Sequence, residues 1–431
     1  MLIFKDIIGK LTWSSIASLV YIIVQSLVFL YLSHVLPALD FGIFSLAVSF
    51  ILFGVNVIEN GLPQSIIQTE KPITEDYNSV LFLNFKTALF YAGFLGLLIL
   101  GSRFFWAETK FIYPTLVLLP CVFVAAYNKV QLVGLQKNLE FKAIAQLEIL
   151  SSAAYLLSIA ITIYYDLGLW ILVVSFATKY LAVLVIINLF NYKYSDKLFS
   201  SDKVVRNKHW QFGKFIQGEK IITSVLSYAD VFIITATLGV EILGFYDVLK
   251  RIILRPIILL YNGVEQLFYP LLVESRSDIK QYVENYALLN KLSNYIFINI
   301  TVVLYVCSPI IIQILPASYE SFLATLKLLC IFAAVIVVMN PIDIILYSLG
   351  KSKLFFKWIL IYTLPLLILI YFTSCIGLDT MLMSLISFYI FLYLISYFIL
   401  IRKTLIPVWS YFSTFGYAVI VYFLLILFSN F

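Results

Sequence analysis

The sequence predicts an all-α integral membrane protein in which 12–13 transmembrane helices form two six-helix lobes, related as a parallel repeat, around a central cavity. Three observations support this fold class. Of the 431 residues, 62% are hydrophobic and 12% are charged, whereas soluble domains are about half apolar and about a quarter charged. Apolar windows long enough to cross a bilayer, about 20 residues each, recur along the chain. Lys and Arg collect in alternate loops.

The apolar windows predict thirteen spans, the last of them an addition to a core of twelve. They are residues 11–34, 41–67, 79–101, 112–135, 143–164, 168–190, 212–238, 243–272, 287–314, 321–349, 354–375, 380–401 and 409–430. The loops between them are short, and those on the outer face leave no room for a catalytic domain there.

The loop charges predict the orientation of the chain. With the N-terminus in the cytoplasm, seventeen Lys and Arg residues fall in inner segments and only Arg103 and Lys110 fall in outer loops. Cytoplasmic loops collect positive charge, so topology accounts for the net charge of +6. We therefore expect no nucleic-acid partner.

A polar stretch separates two halves that share weak internal similarity. FGIFSL begins the second span and LGFYDV the eighth, and an Asn-Gly pair lies near the far end of each, all at an offset of 202 residues. Such parallel repeats are common in transporters, whose substrate sites lie between the repeats. The predicted domains are an N-terminal lobe (1–190), a cytoplasmic basic linker (191–210), a C-terminal lobe (211–402) and an additional C-terminal transmembrane helix (403–431).

The predicted eighth span carries ionisable side chains along one face. Residues three or four apart share a helix face, and the stripe runs from Asp247 through Arg251 and Arg255 to Glu265. Arginine offers paired donors to phosphate, and lysine acts as a point charge. An anionic head group is therefore expected in a cationic cavity. The candidate substrate-binding residues are Arg251, Arg255, Lys250, Lys220, Lys179 and Asn262.

Carboxylates within the predicted spans are candidates for binding a coupling ion, H⁺ or Na⁺. A charge at the bilayer centre costs about 3 kcal/mol or more, so such residues usually face water or a partner. The candidates are Glu59, Asp230, Asp247, Glu265 and Asp343. Two simpler readings stay open: Asp247 and Arg251 only neutralise each other, and Lys250 only extends to the interface.

No metal site, cofactor or catalytic residue is predicted. The four cysteines lie singly in apolar runs, with no C-x-x-C pair, which disfavours a disulfide framework or a zinc site. His34 and His209 are isolated in the sequence, and we expect both to be incidental.

Several segments resemble bacterial polysaccharide flippases of the Wzx type, which belong to the multidrug/oligosaccharidyl-lipid/polysaccharide (MOP) exporter superfamily. The segments are LSHVLPALDFGIFSLAVSF (32–50), ENGLPQSIIQ (59–68), GLQKNLEFKAIAQLEI (134–149), DLGLWILV (166–173), YADVFIITATLGVEILGFYDVLKRI (228–252) and QLFYPLL (266–272). By position, Asp230 matches the family's recurrent acid in the seventh span and Arg251 a recurrent basic residue in the eighth. The chain departs from the family at His34, where relatives often have Arg, and at Pro37, where they often have Gly.

The resemblance implies a multi-pass protein of the bacterial inner membrane with no enzymatic activity. Its substrate would be an undecaprenyl-diphosphate-linked oligosaccharide, such as an O-antigen repeat unit of lipopolysaccharide, moved to the outer leaflet by alternating access. Membrane lipids and other polysaccharide assembly proteins are the further partners implied. One alternative is a multidrug exporter of the same superfamily, which the excess of Lys and Arg disfavours. A less favoured alternative is a membrane glycosyltransferase or polymerase.

Overall fold

The structure is a computed structural model that describes residues 24–60, 62–105, 110–195, 202–339, 341–402 and 406–429. Within these ranges the side chains of some helical residues, Asn262 and Glu265 among them, are not described. The described part of the chain consists of helices, turns and loops and contains no β-strand. The predicted all-α class is confirmed.

Ten helical segments in the described ranges are long and apolar enough to cross a membrane. They correspond to ten of the thirteen predicted spans. Of the other three, the first is described only from Val24, as a short apolar helix. The eighth is a 35-residue helix that carries the ionisable stripe, and the thirteenth is a 22-residue helix. Helix is thus present at every predicted span.

Contacts divide the chain into two compact units, and unit 1 comprises Met1–Val24 and Leu36–Gly244. Its described helices are α2 (Ala38–Asn60), α3 (Gln64–Gln68), α4 (Thr74–Phe105), α5 (Ile112–Leu118), α6 (Pro120–Lys137), α7 (Phe141–Tyr164), α8 (Trp170–Leu189) and α9 (Lys203–Thr237). Helix α2 packs on α9 and α6, α4 packs on the same two helices, and α7 pairs with α8. The core of unit 1 is therefore a bundle of α2, α4, α6 and α9.

A proline interrupts the predicted fourth span. Pro120 stands in the first turn of α6, and a proline there has no N–H to donate to the preceding turn. The span accordingly consists of α5 and α6, which meet at Leu119.

The chain between α8 and α9 is bound to unit 1 at both described ends. The Gln131 side chain of α6 accepts hydrogen bonds from the backbone N–H groups of Tyr194 (2.6 Å) and Ser195 (3.1 Å) and donates to the Ser195 carbonyl (3.2 Å). Helix α9 begins at Lys203, where the Asp202 carboxylate accepts from the Val204 N–H at 2.8 Å, a common helix cap. In the segment predicted as a cytoplasmic linker (191–210), polar groups of unit 1 thus bind residues 194–195 and the chain from Lys203 onward is helical. Its role as a linker between two lobes stays a prediction.

Unit 2 comprises Gln25–Val35 and Phe245–Phe431. Its described helices are α1 (Val24–Val35), α10 (Val240–Glu274), α11 (Ile279–Val306), α12 (Ser308–Ile314), α13 (Leu323–Met339), α14 (Pro341–Ser348), α15 (Ser352–Ser374), α16 (Leu378–Ser396) and α17 (Val408–Ser429). Helix α10 belongs to unit 1 as far as Gly244 and to unit 2 beyond it.

The core of unit 2 is rich in aromatic side chains. Tyr393 of α16 stacks on Tyr411 of α17 at 4.7 Å between ring centroids, and Tyr397 lies 5.3 Å from the same ring. The buried hydroxyl groups find partners, since Tyr393 donates to the Tyr411 carbonyl and the Tyr411 hydroxyl contacts Ser396 Oγ at 2.8 Å. These contacts fix α17, the predicted additional helix, against α16. The lobe boundaries 1–190 and 211–402 stay predictions about the repeat, because packing assigns α9 to unit 1.

Candidate functional site

Three charged side chains of α10 form one cluster within unit 2. Asp247, Arg251 and Arg255 are spaced four residues apart, which places them on consecutive turns of the same face. Arg251 Nε donates to Asp247 Oδ2 at 2.5 Å, and Arg255 Nη2 donates to Asp247 Oδ1 at 3.4 Å. One carboxylate therefore contacts two guanidinium groups. The first three members of the predicted stripe therefore interact.

The two arginines differ in exposure. The side chain of Arg251 is 6% exposed and that of Asp247 is 1% exposed, whereas 34% of Arg255 is accessible. Lys250, one residue before Arg251, is half-buried and holds its ammonium 5.4 Å from the centroid of the Tyr246 ring. The cluster thus has a buried ion pair, Asp247–Arg251, and two cations that solvent reaches.

Aromatic rings cover the buried ion pair. The Arg251 guanidinium lies 4.4 Å from the centroid of the Phe29 ring on α1, a cation–π contact. Phe245 packs edge-on against Tyr319 at 4.8 Å between centroids, and burial at Tyr319 is nearly complete. The Tyr319 hydroxyl has no hydrogen-bond partner among the described atoms. This apolar cover excludes water from Arg251 and Asp247 and leaves Arg255 and Lys250 at its edge.

The other predicted cations lie in unit 1. Lys179 of α8 forms an ion pair of 3.2 Å with Glu148 of α7, so its charge is balanced by a neighbouring helix. Lys220 of α9 lies 3.8 Å from Glu219, and both are partly exposed. The side chains of Asn262 and Glu265 lie outside the described ones. Within unit 2, the described side chains of Arg251, Arg255 and Lys250 lie together, and the place of the other candidate substrate-binding residues at this site stays a prediction.

The candidate acids occupy different surroundings. Glu59 of α2 interacts electrostatically with Lys129 of α6. Asp230 is 9% exposed, and its carboxylate accepts from the Val231 N–H at 2.9 Å. Asp343 is half-buried and accepts from the next N–H of its own helix, at 2.7 Å. Asp247 alone of these acids is joined to the arginine cluster in the described structure.

A second polar cluster, which we call the His209 clasp, joins α3, α4 and α9 in unit 1. His209 Nε2 lies 2.9 Å from Asp76 Oδ1, and Nδ1 lies 2.7 Å from Ser65 Oγ. All three side chains are buried. Burial lowers the pKa of His209 from its ordinary value, although the neighbouring Asp76 carboxylate opposes this shift. Histidine 209, expected to be incidental, is therefore a structural link.

Sequence reasoning missed Phe29, Tyr319, Glu148 and the His209 clasp. The clasp joins residues 133 and 144 positions apart, and nothing in local spacing reports such a pairing. Glu148 offered a weak signal, because it is a carboxylate in a predicted span that needs a cation. Among the described residues, no group of three or more His, Cys, Asp or Glu side chains is arranged to hold a metal ion.

Comparisons with known proteins connect this geometry to a family. A family model described as "Polysaccharide biosynthesis protein" matches residues 32–320, more than half of the chain. The teichuronic acid biosynthesis protein TuaB of Bacillus subtilis (strain 168) is 20% identical over 389 residues, which cover 84% of this chain and 76% of that protein.

Two solved structures share the fold. The lipid II flippase MurJ in an inward closed conformation matches with a TM-score of 0.72 at 15% identity, over 100% of this chain and 93% of that one. A MOP superfamily transporter from Pyrococcus furiosus matches with a TM-score of 0.61 at 13% identity, over 90% of this chain and 94% of that one. The chain therefore shares the fold of these two transport proteins, as the resemblance implied.

Proposed function

This chain belongs to the polysaccharide biosynthesis protein family, and from that premise we propose that it is a flippase for an undecaprenyl-diphosphate-linked oligosaccharide. The substrate would move from the inner to the outer leaflet of the bacterial cell membrane by alternating access. The MOP neighbours, a transporter and a flippase, support a transporter rather than an enzyme. The cationic edge of the arginine cluster carries the proposal about the substrate.

The two arginine contacts of Asp247 differ in length, and this difference makes Arg255 available to bind a diphosphate. Charge-assisted N–H···O bonds are typically 2.7–2.9 Å long, so the 3.4 Å contact of Arg255 is weak and that of Arg251 is strong. Arg255 is also one-third exposed. A phosphate oxygen at a shorter distance would replace Asp247 as the hydrogen-bond acceptor of Arg255, while Arg251 would stay bonded to Asp247. Lys250 lies beside them as a second, half-buried cation.

The charge of this cluster also bears on the alternative cargo. Among the described side chains of this cluster, the three cations Arg251, Arg255 and Lys250 outnumber the Asp247 carboxylate. An exporter of cationic drugs needs the opposite balance, because unlike charges attract and like charges repel at short range. We therefore favour the anionic head group over the multidrug reading.

Complementation of a flippase-deficient strain tests this proposal. We expect Arg255→Ala to lower surface polysaccharide at least tenfold at matched expression, because the head group loses a cationic hydrogen-bond donor. Arg255→Lys should retain part of the export, and Lys250→Ala should show a smaller decrease. Arg276→Ala is the matched control, since Arg276 is an exposed arginine in the turn after α10. Normal export by the Arg255→Ala/Lys250→Ala double variant would contradict the proposed phosphate site.

We further propose that an acid outside the arginine cluster couples transport to H⁺ or Na⁺. Glu59 and Asp230 are the main candidates, because each is a carboxylate within the membrane-embedded part of unit 1. Transport into proteoliposomes should then depend on an imposed ion gradient, and Asp230→Asn or Glu59→Gln should remove the dependence. Glu284→Gln, at an exposed position of α11, is the control. Transport that ignores both gradients and the membrane potential would remove this part of the proposal.

A further inference from the structure

Helices α2 and α10 each carry a glycine in the second turn. Helix α2 begins at Ala38 and has Gly42 four residues later, and α10 begins at Val240 and has Gly244 four residues later. All four residues belong to unit 1. Glycine in a membrane helix often marks a place where another backbone approaches closely.

At this place the two backbones touch without side chains between them. A Cβ atom added to Gly42 would overlap the carbonyl oxygen of Val240, and one added to Gly244 would overlap the carbonyl oxygen of Ala38. The same Cβ at Gly244 would also lie 2.9 Å from the backbone nitrogen of Gly42. Only glycine fits at either position in this arrangement.

The contact is reciprocal. Gly42 meets the first residue of α10, and Gly244 meets the first residue of α2. Both pairs of equivalent residues, Ala38 with Val240 and Gly42 with Gly244, are separated by the same 202 positions as the repeat motifs in the sequence. Reciprocal contacts of this kind arise around a two-fold axis, which is what the predicted parallel repeat would produce at this crossing.

We propose that this glycine crossing, formed by Ala38, Gly42, Val240 and Gly244, is the seal that closes the outer end of the transport path. The inference rests on the proposed function for the existence of that path. Loop charges assign the beginnings of α2 and α10 to the outer face. The crossing is also close to the cation cluster, since Asp247 follows Gly244 by three residues, less than one helical turn.

The chemistry of the crossing suits a contact that has to open repeatedly. Each carbonyl oxygen lies where a side chain would begin, along a glycine Cα–H bond, which is the arrangement of weak Cα–H···O contacts between helices. The overlapping positions involve backbone atoms and one Val240 methyl group. The helices can therefore meet tightly and part without breaking an ion pair at this point.

Cysteine labelling tests the seal without any substrate. Ser45, three residues after Gly42, is 1% exposed, and in a background with the four native cysteines replaced, Ser45→Cys reports outer access. We expect a membrane-impermeant maleimide to label it at least tenfold faster when Gly42→Ala or Gly244→Ala is added. Gly96→Ala is the control, because an added Cβ there meets nothing within 4 Å. Folded Gly42→Ala and Gly244→Ala proteins that label at the parent rate would overturn the proposal.

A second arm keeps both glycines and so avoids the risk of misfolding. Ala38→Cys and Val240→Cys joined by a short reducible bis-maleimide should hold the crossing closed, and transport should fall at least tenfold and return on reduction. Unchanged transport by the fully cross-linked protein would overturn the seal. The labelling experiment needs no substrate and therefore tests the seal by itself. If labelling responded as expected but the protein moved no diphosphate lipid, the proposed function would be wrong and the seal would stand.

Discussion

Asp247 lies between two guanidinium groups of its own helix, one buried and one partly exposed. Its contact with Arg251 neutralises the charge of a guanidinium group that is buried away from water. Without a partner, such a buried charge costs several kcal/mol. Its contact with Arg255 is longer, and solvent screens it. The same carboxylate therefore has a structural role towards Arg251 and a replaceable contact with Arg255. Sequence spacing predicted the pairing but not this difference, because exposure depends on Phe29 and Tyr319, which are far away in the chain.

At the residue scale we predict a large stability difference between these two contacts. Asp247→Ala should lower the free energy of unfolding by about 3–5 kcal/mol, because Arg251 stays buried without its partner. Arg255→Ala should lower it by less than about 1 kcal/mol, as expected for a partly exposed pair. The measurement is unfolding of the purified protein in mixed detergent and SDS micelles.

The Asp247→Leu/Arg251→Met double variant serves as the control for that prediction. Replacing both members of a buried ion pair by apolar residues often restores stability, so this variant should recover most of the loss while export stays impaired. If it were as unstable as Asp247→Ala, the loss would come from packing around α10 and not from an uncompensated charge.

At the scale of elements, the His209 clasp connects the start of α9 to α4 and to the short helix α3. Because a carboxylate only accepts hydrogen bonds, Nε2 of His209 carries the proton that faces Asp76. Ser65 Oγ lies 2.7 Å from Nδ1 of His209 and also donates to the Leu62 carbonyl at 2.6 Å. When the ring is neutral, Nδ1 and this carbonyl therefore compete for the single hydroxyl proton. Burial nevertheless lowers the pKa of His209.

We predict that stability falls with acidification below about pH 6.5 and that His209 is the cause. The unfolded chain protonates this histidine near its ordinary pKa of 6.5, whereas the folded protein does so only at lower pH. Between these two values protons favour the unfolded state, so stability should decline by up to about 1.4 kcal/mol per pH unit. Thermal unfolding in detergent at pH 5 to 8 measures this slope.

Two variants test whether His209 causes this dependence of stability on pH. His209→Gln should remove the slope, because glutamine can hydrogen-bond with both Asp76 and Ser65 and does not titrate in this range. His34→Gln should keep it, since His34 is exposed. An unchanged slope in His209→Gln would assign the effect to groups other than His209.

The sequence predicted the positions of the helices but not the polar contacts between distant ones. Hydropathy and loop charge located helix at all thirteen predicted spans, because a bilayer requires continuous apolar helices. The interactions of Gln131 with residues 194–195 and of His209 with Asp76 were not predicted, since both join polar residues far apart in the chain. The stripe on α10 was predicted because its members share one helix. Lys179 and Lys220 lie in unit 1, and their place at the same site stays a prediction, because one-dimensional periodicity does not relate residues of different helices.

For the whole molecule, the orientation in the membrane determines which face the glycine crossing closes. The glycine crossing is an outer seal only if α2 and α10 begin at the outer face, and the orientation comes from the positive-inside pattern alone. Lys110 and Arg276 are exposed positions on opposite predicted faces. They suit a test because each precedes or follows a helix whose bounds the structure gives.

We predict that, in a cysteine-free background, Lys110→Cys reacts with an impermeant maleimide added to intact cells, whereas Arg276→Cys reacts only after the membrane is opened. The asymmetry should exceed tenfold, because a polar reagent does not cross the bilayer on the labelling time scale. The reverse pattern would mean that the orientation in the membrane is inverted. The glycine crossing would then lie at the cytoplasmic face and close the cytoplasmic end of the transport path. Equal reaction of both residues with the impermeant reagent would contradict the span count between them, because five predicted spans, an odd number, separate the outer loop at Lys110 from the inner turn at Arg276.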